Sequence, residues 1–165
     1  MAIYFFDSSG LVKRYVAEIG TAWTQGITDP SARHGIYIAQ ITGVEVIAAI
    51  NKRAAGGTPS VSKADAAKAI AEFRLDYTNQ YNALEITDQI ILAAMTFAET
   101  HVLRGYDAVQ LAAAVAINSQ LLAANAALGL ITPIGPVLTL ISSDAKLNAA
   151  AVTEGLTVDD PINHP

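Results

Sequence analysis

The chain has 165 residues, 52 % apolar and 15 % charged, with a formal net charge of −5 and a pI near 5.0. That suits one domain, residues 1–165, with a sizeable core. The absence of cysteine excludes a disulfide framework and thiolate metal sites, and the acidic balance argues against a large basic nucleic-acid surface. The N-terminal apolar run ends at Asp7 with no basic region before it, so no secretory signal is read and a cytoplasmic setting is expected.

Ala2–Phe6 is an unbroken apolar run and reads as a strand buried on both faces. Asp7 follows directly. It stands either at the carboxyl edge, where open α/β sheets bind ligands, or as the cap of the next helix. That helix runs from Ser8 or Ser9 to about Ala17, and Thr21 caps a second one through about Thr28. Gly35–Ala39 is a second strand. Thr42-Gly43-Val44-Glu45 opens a helix through about Ala54, with Glu45 the only charged residue between Ile41 and Ile50. Ser62-Lys63-Ala64-Asp65 resembles a capping box, and Ala66, Ala69, Ile70, Phe73 and Tyr77 recur at helical spacing.

Ala83–Ile86 is a short strand. Thr87 or Asp88 caps a helix to about His101 whose apolar face is Ile91, Ala94, Ala98 and Val102. Asp107 starts a long alanine-rich helix to about Leu128. Gln110, Asn118, Ser119, Gln120 and Asn125 interrupt it, so it reads as a buried helix rather than a membrane span. Gly129–Pro136 is a loop, and Val137–Ile141 is a strand. Ser142-Ser143-Asp144 opens a helix to about Val152, and Leu156–Val158 is a last strand before the polar tail Asp159–Pro165. Strands alternating with helices define an α/β class with a mainly parallel sheet.

Four acids stand where elements begin: Asp7, Glu45, Asp107 and Asp144. Each has a structural reading. The three aspartates suit N-caps or first helical turns, and Glu45 completes a Thr42-x-x-Glu45 capping box. Together they suggest a site, because helices that follow parallel strands start at one sheet edge. Carboxylates gathered there repel, and burial adds to the cost, so something must neutralise them. With no cysteine and only three histidines, the available ligands are oxygens, which suit Mg²⁺ or Mn²⁺ and phosphodiester hydrolysis. His34, His101 and His164 read as structural or solvent-facing. Gly56-Gly57 lacks the Lys-Ser/Thr of a phosphate loop.

The runs FFDSSGLVKRYVAEIGT, ITGVEVIAAI, LRGYDAVQLAAAV and LISSDAKLNAAAVTEGLTV, spread over nearly the whole chain, resemble the PIN-domain ribonucleases. They resemble in particular the toxin members of VapBC-type toxin–antitoxin pairs. The resemblance implies a three-layer α/β/α sandwich around a central parallel sheet. It implies a catalytic and metal-binding pocket of Asp7, Glu45 and Asp107, with Asp144 as a fourth acid and Ser9 supporting the metal. It further implies RNA cleavage with Mg²⁺ or Mn²⁺, a homodimer, and inhibition by a small antitoxin protein. Gly10 stands where alanine is common in the family, a difference expected to matter little. The connection at about 118–136 is longer than an ordinary αβ connection.

Lys13, Arg14 and Arg104 are candidates for RNA-backbone contacts. Leu11, Val12, Val46 and Ile50 are candidate anchorage for a partner's C-terminal segment, whose Arg or Lys would enter the acids. The tail, being acidic, is expected to be repelled from them. A catalytically silent interaction module is the alternative reading. A haloacid dehalogenase-type phosphotransferase needs a second Asp where Ser9 stands, and a signalling receiver needs adjacent acids and a late lysine that this chain lacks.

Overall fold

The computed structural model describes residues 1–129 and 137–165. Five strands form one sheet in the order β3-β2-β1-β4-β5, with every neighbouring pair parallel. They are β1 (Ile3–Phe6), β2 (Gly35–Ala39), β3 (Asn82–Leu84), β4 (Thr139–Ile141) and β5 (Thr157–Asp159). Between β1 and β2 lie α1 (Ser8–Leu11), a 3₁₀ turn (Val12–Arg14) and α2 (Thr21–Thr28). Helices α3 (Gln40–Ala54) and α4 (Lys63–Asn79) lead to β3. Helices α5 (Asp88–His101) and α6 (Gly105–Ala127) lead towards β4, and α7 (Ala145–Thr153) joins β4 to β5.

The strand sequences explain the three layers. Side chains alternate across a sheet. Ile3, Phe5, Tyr37, Ala39, Leu84 and Leu140 face one way and join the core under α5, α6 and α7. Tyr4, Phe6, Ile36, Ile38, Ala83 and Ile141 face the other way and join the core under α1, α3 and α4. Both faces are covered, so the runs are apolar without a polar alternation. From β1 the chain moves outward through β2 to β3, then returns to β4 on the other side of β1. The reversal makes the gap between β1 and β4 the sheet's topological switch point, where open α/β sheets bind ligands.

Several expectations shift. Helix α3 starts at Gln40, so Thr42 lies inside it and caps nothing; Thr42 and Glu45 do not form a capping box. Helix α6 starts at Gly105 behind Arg104, which places Asp107 in the first turn rather than at the cap. Of the expected face of α5, Ala94 is buried and Ala98 packs on the core, but Ile90 takes the place expected of Ile91, which is exposed, and Val102 leaves the helix with a left-handed φ of 53°. The helix after Asp7 is one turn followed by a 3₁₀ turn that ends at Arg14. Ser62 does cap α4, its hydroxyl accepting from Asp65 N at 3.0 Å. Most of the expected loop Gly129–Pro136 lies outside the described residues.

Helix α6 is long and apolar enough to span a membrane by length and composition. Its first three turns are instead used as core, with Ala108, Leu111–Ala114 and Ile117 buried under the sheet. The tail is docked on α2. Pro161 is buried against Gly20, whose φ of 89° and missing Cβ permit the contact: a Cβ there would stand 2.3 Å from Pro161 O. His164 stacks on Trp23 with ring centroids 4.1 Å apart and pairs with Asp159 at 2.9 Å. The other histidines are structural too, His34 accepting from Ala2 N and His101 pairing with Glu154.

Candidate active site at the switch point

Asp7 ends β1 and caps α1. Its backbone N–H donates to Ile141 O at 3.2 Å, which ties it to the end of β4. The side chain is 4 % exposed. Its Oδ1 accepts from Gly10 N at 2.9 Å and from Ser9 Oγ at 2.9 Å. Ser9 in turn accepts from Ser143 N at 2.8 Å, so one hydroxyl spans the switch point from Asp7 to the start of the β4–α7 connection. Burial pushes the Asp7 carboxyl up from 3.8 to about 7, with the Glu45 charge adding to the rise and the hydrogen bonds from Gly10 and Ser9 opposing it.

The close approach of α1 to β4 depends on Gly10. A Cβ at this position would meet Ile141 O at 2.6 Å, shorter than any ordinary contact. The glycine is therefore a packing requirement of this site, contrary to the expectation that it matters little.

Glu45 lies in the second turn of α3, half-buried. Its Oε2 accepts from Gln110 Nε2 at 2.6 Å, and the same amide donates to Thr42 Oγ1 at 2.8 Å. Thr42 and Glu45 are three residues apart on α3, as Asp107 and Gln110 are on α6, so each pair shares a helix face. The buried amide locks these two faces together. This is how Asp107 reaches the edge although its helix follows α5 and not a strand. Burial raises the Glu45 carboxyl, with the Asp107 charge adding to it. Burial also raises Asp107, where the Asp144 charge adds and Arg104 and Lys146 oppose.

Asp144 is the N-cap of α7, its Oδ1 accepting from Lys146 N at 2.9 Å and Leu147 N at 2.8 Å. Its structural reading is therefore realised, with Oδ2 left without a hydrogen bond among the described residues. The acids follow one another electrostatically: the Glu45 charge adds to the rise at Asp7, the Asp107 charge to the rise at Glu45, and the Asp144 charge to the rise at Asp107. They are not a closed cage. Among the described residues no three His, Asp or Glu side chains stand close enough to share one ion. The donors are all hard oxygens, which fits Mg²⁺ or Mn²⁺. The open spacing fits Mg²⁺, which keeps several waters and takes only one or two carboxylates.

Two of the candidate contact sets change. Arg14 turns away into a buried pair with Asp76 at 2.9 Å, completed by Thr28 and by the Tyr15 hydroxyl. Leu11, Val12, Val46 and Ile50 are all buried in the core and offer a partner no surface. Gln110 was visible in the sequence only as an interruption of an apolar helix. Its place one turn after Asp107 was the available signal.

The fold and its switch-point acids define a PIN-like α/β/α sandwich. Three solved structures share that fold: PAE2754 from Pyrobaculum aerophilum (18 % identity, TM-score 0.55, 99 % of this chain and 93 % of that one), VapBC2 from Rickettsia felis bound to a DNA fragment from their promoter (13 %, 0.58, 96 % and 98 %), and a toxin–antitoxin complex from Klebsiella pneumoniae (17 %, 0.56, 98 % and 98 %). No protein-family model matches the sequence, and no curated protein matches it significantly.

Proposed function

We propose that the chain is a metal-dependent endoribonuclease and the toxin of a toxin–antitoxin pair. The observation that carries this reading is the set of carboxylates around the switch point, with Asp7 after β1, Asp144 after β4, and Glu45 held by Gln110 from the helix of Asp107, in a sheet whose fold is shared with toxin–antitoxin proteins. Asp7, Glu45 and Asp107 would hold one or two Mg²⁺ or Mn²⁺, directly or through waters, with Asp144 contributing through its free oxygen. When bound, the metal supplies charge stabilisation on phosphate and leaving oxygen and acidifies a water. The chain's own part is positional. Ser9 and Gly10 fix the Asp7 carboxylate, and Gln110 fixes one oxygen of Glu45.

The partner in this reading is a small antitoxin whose basic C-terminal residue enters the acids. Arginine suits that role because its planar fork pairs bidentately with carboxylate. The chain is also read as a homodimer. Exposed apolar side chains available for pairing include Leu75 of α4 and Leu92 and Met95 of α5, while Phe73 of α4 is core. Light scattering should report about twice 17.3 kDa.

The test is cleavage of a labelled RNA with and without Mn²⁺, beside Asp7→Ala. Metal-dependent cutting that the substitution abolishes supports the reading. Folded wild type that never cuts any RNA leaves the silent interaction module. Co-expression with the product of the adjacent gene tests the partner: a complex that cuts at full rate removes the plug.

A further inference from the structure

A cleft of about 650 Å³ opens beside the acids, between the start of α1, the end of α3 and the start of α6. Lys13, Lys52, Arg53 and Arg104 line it, with Glu18 as the one carboxylate. Four of the chain's ten Lys and Arg residues thus meet at one place on a protein of net charge −5. Glu18 organises the wall. Its Oε1 takes Arg53 Nη2 at 2.9 Å, and its Oε2 stands 3.6 Å from Lys13 Nζ, which also donates to Ile19 O. One carboxylate cannot neutralise four cations, and Lys52 and Arg104 remain solvent-exposed. Arg53 Nε is buried without a hydrogen-bond partner, so the guanidinium has not spent its donors.

The cleft adjoins Asp7 through the α1 turn. Ser8 and Ser9 line it, and Ser9 is the residue that holds Asp7. Arg104 is the N-cap of the helix that carries Asp107 in its first turn. No aromatic side chain is among the cleft's lining residues, so it has no platform on which to stack a base. Its volume is that of a small-ligand site rather than of a duplex groove.

We propose that this cleft is a second binding site, one that grips the phosphodiester backbone of single-stranded RNA on one flank of the carboxylates without reading its bases. The choice of RNA as the polyanion rests on the nuclease reading above. Strand affinity therefore comes from the basic cleft, and the acids are left to the scissile phosphate. Backbone gripping displaces counterions, so binding must weaken with salt by a slope of about 0.7 per phosphate contacted by a single strand.

The experiment is fluorescence anisotropy of a labelled ten-nucleotide oligouridylate in EDTA, titrated from 50 to 200 mM salt. Wild type is compared with Lys52→Ala/Arg104→Ala, with the charge-keeping Lys52→Arg/Arg104→Lys, and with Lys63→Ala/Lys68→Ala on the exposed face of α4. The cleft pair should bind more weakly, and the fourfold salt rise should cost it about sevenfold less affinity than it costs wild type. The charge-keeping pair and the α4 pair should keep the wild-type slope. An unchanged slope in the cleft pair, or an equal loss in the α4 pair, overturns the site. Cleavage in Mn²⁺ is scored separately. Cleft-dependent binding without cleavage keeps the site and removes the nuclease; cleavage with an unchanged slope does the reverse.

Discussion

Gln110 Nε2 lies 2.6 Å from Glu45 Oε2, joining α6 to α3 through a side chain only 2 % exposed. The amide is at once the clasp between two helices and the support of a candidate ligand. Gln110→Leu leaves a half-buried carboxylate oxygen and the Thr42 hydroxyl without their partner, at a cost of about 1–3 kcal/mol. Cleavage and metal affinity should fall about 10–100-fold, the usual loss when the support of a ligand is removed. Urea unfolding and Mn²⁺ titration measure the two effects separately. A variant with normal metal affinity would leave Gln110 purely a packing residue.

Asp7 makes stability depend on pH. Its carboxyl titrates at about 7 in the folded protein against an ordinary 3.8. Between these values the native state keeps a proton that the unfolded chain has lost. The group's contribution is therefore greatest below the lower value, declines as pH rises to about 7, and is level above it. The span corresponds to about 4 kcal/mol. Asp7→Asn should flatten this decline, and in EDTA at pH 8 it should melt higher than wild type. An identical pH profile in thermal melts of the two proteins would place the Asp7 titration elsewhere.

Metal should act in the opposite sense. Binding to the native state alone raises stability by RT ln(1 + [L]/Kd). Mg²⁺ or Mn²⁺ favours the ionised carboxyl, so the rise in Tm should be larger above pH 7 than below it and should vanish in Asp7→Asn. An equal rise in both proteins would count against a shared site.

Gly10→Ala tests the close approach of α1 to β4. The added Cβ would stand 2.6 Å from Ile141 O, a backbone atom that cannot rotate away. The helix must shift, at about 1–3 kcal/mol for such overpacking. Because Asp7 and Ser9 ride on that turn, cleavage should fall together with stability in denaturation and RNase assays.

Asp144 has two roles that substitution can separate. Asp144→Ala should cost about 1 kcal/mol of stability through the lost cap. Asp144→Ser keeps a capping oxygen and removes the charge beside Asp107. If Asp144 serves the chemistry, the serine variant should be stable yet impaired in cleavage. If it serves only the helix, the serine variant should match wild type in both assays. Asp7→Ala, Glu45→Ala and Asp107→Ala should each abolish cleavage outright.

The sequence by itself determined the class of fold, the strands β1 and β2 almost to the residue, the caps at Ser62 and Asp144, and the acids near the sheet edge. These are local properties. Unbroken apolar runs, helical periodicity and short capping spacings are written within a few consecutive residues. Only the tertiary structure decided what each polar group does. Gln110 meets Glu45 across 65 positions of chain, and Arg14 meets Asp76 across 62. No periodicity encodes such meetings, because they depend on how whole helices are stacked across the sheet. The same packing made Gly10 indispensable, buried the apolar residues Leu11, Val12, Val46 and Ile50, and drew Lys13 and Arg53 to Glu18 beside the acids. Local physics chose the elements; the burial of their faces against one another chose which side chains were left to do chemistry.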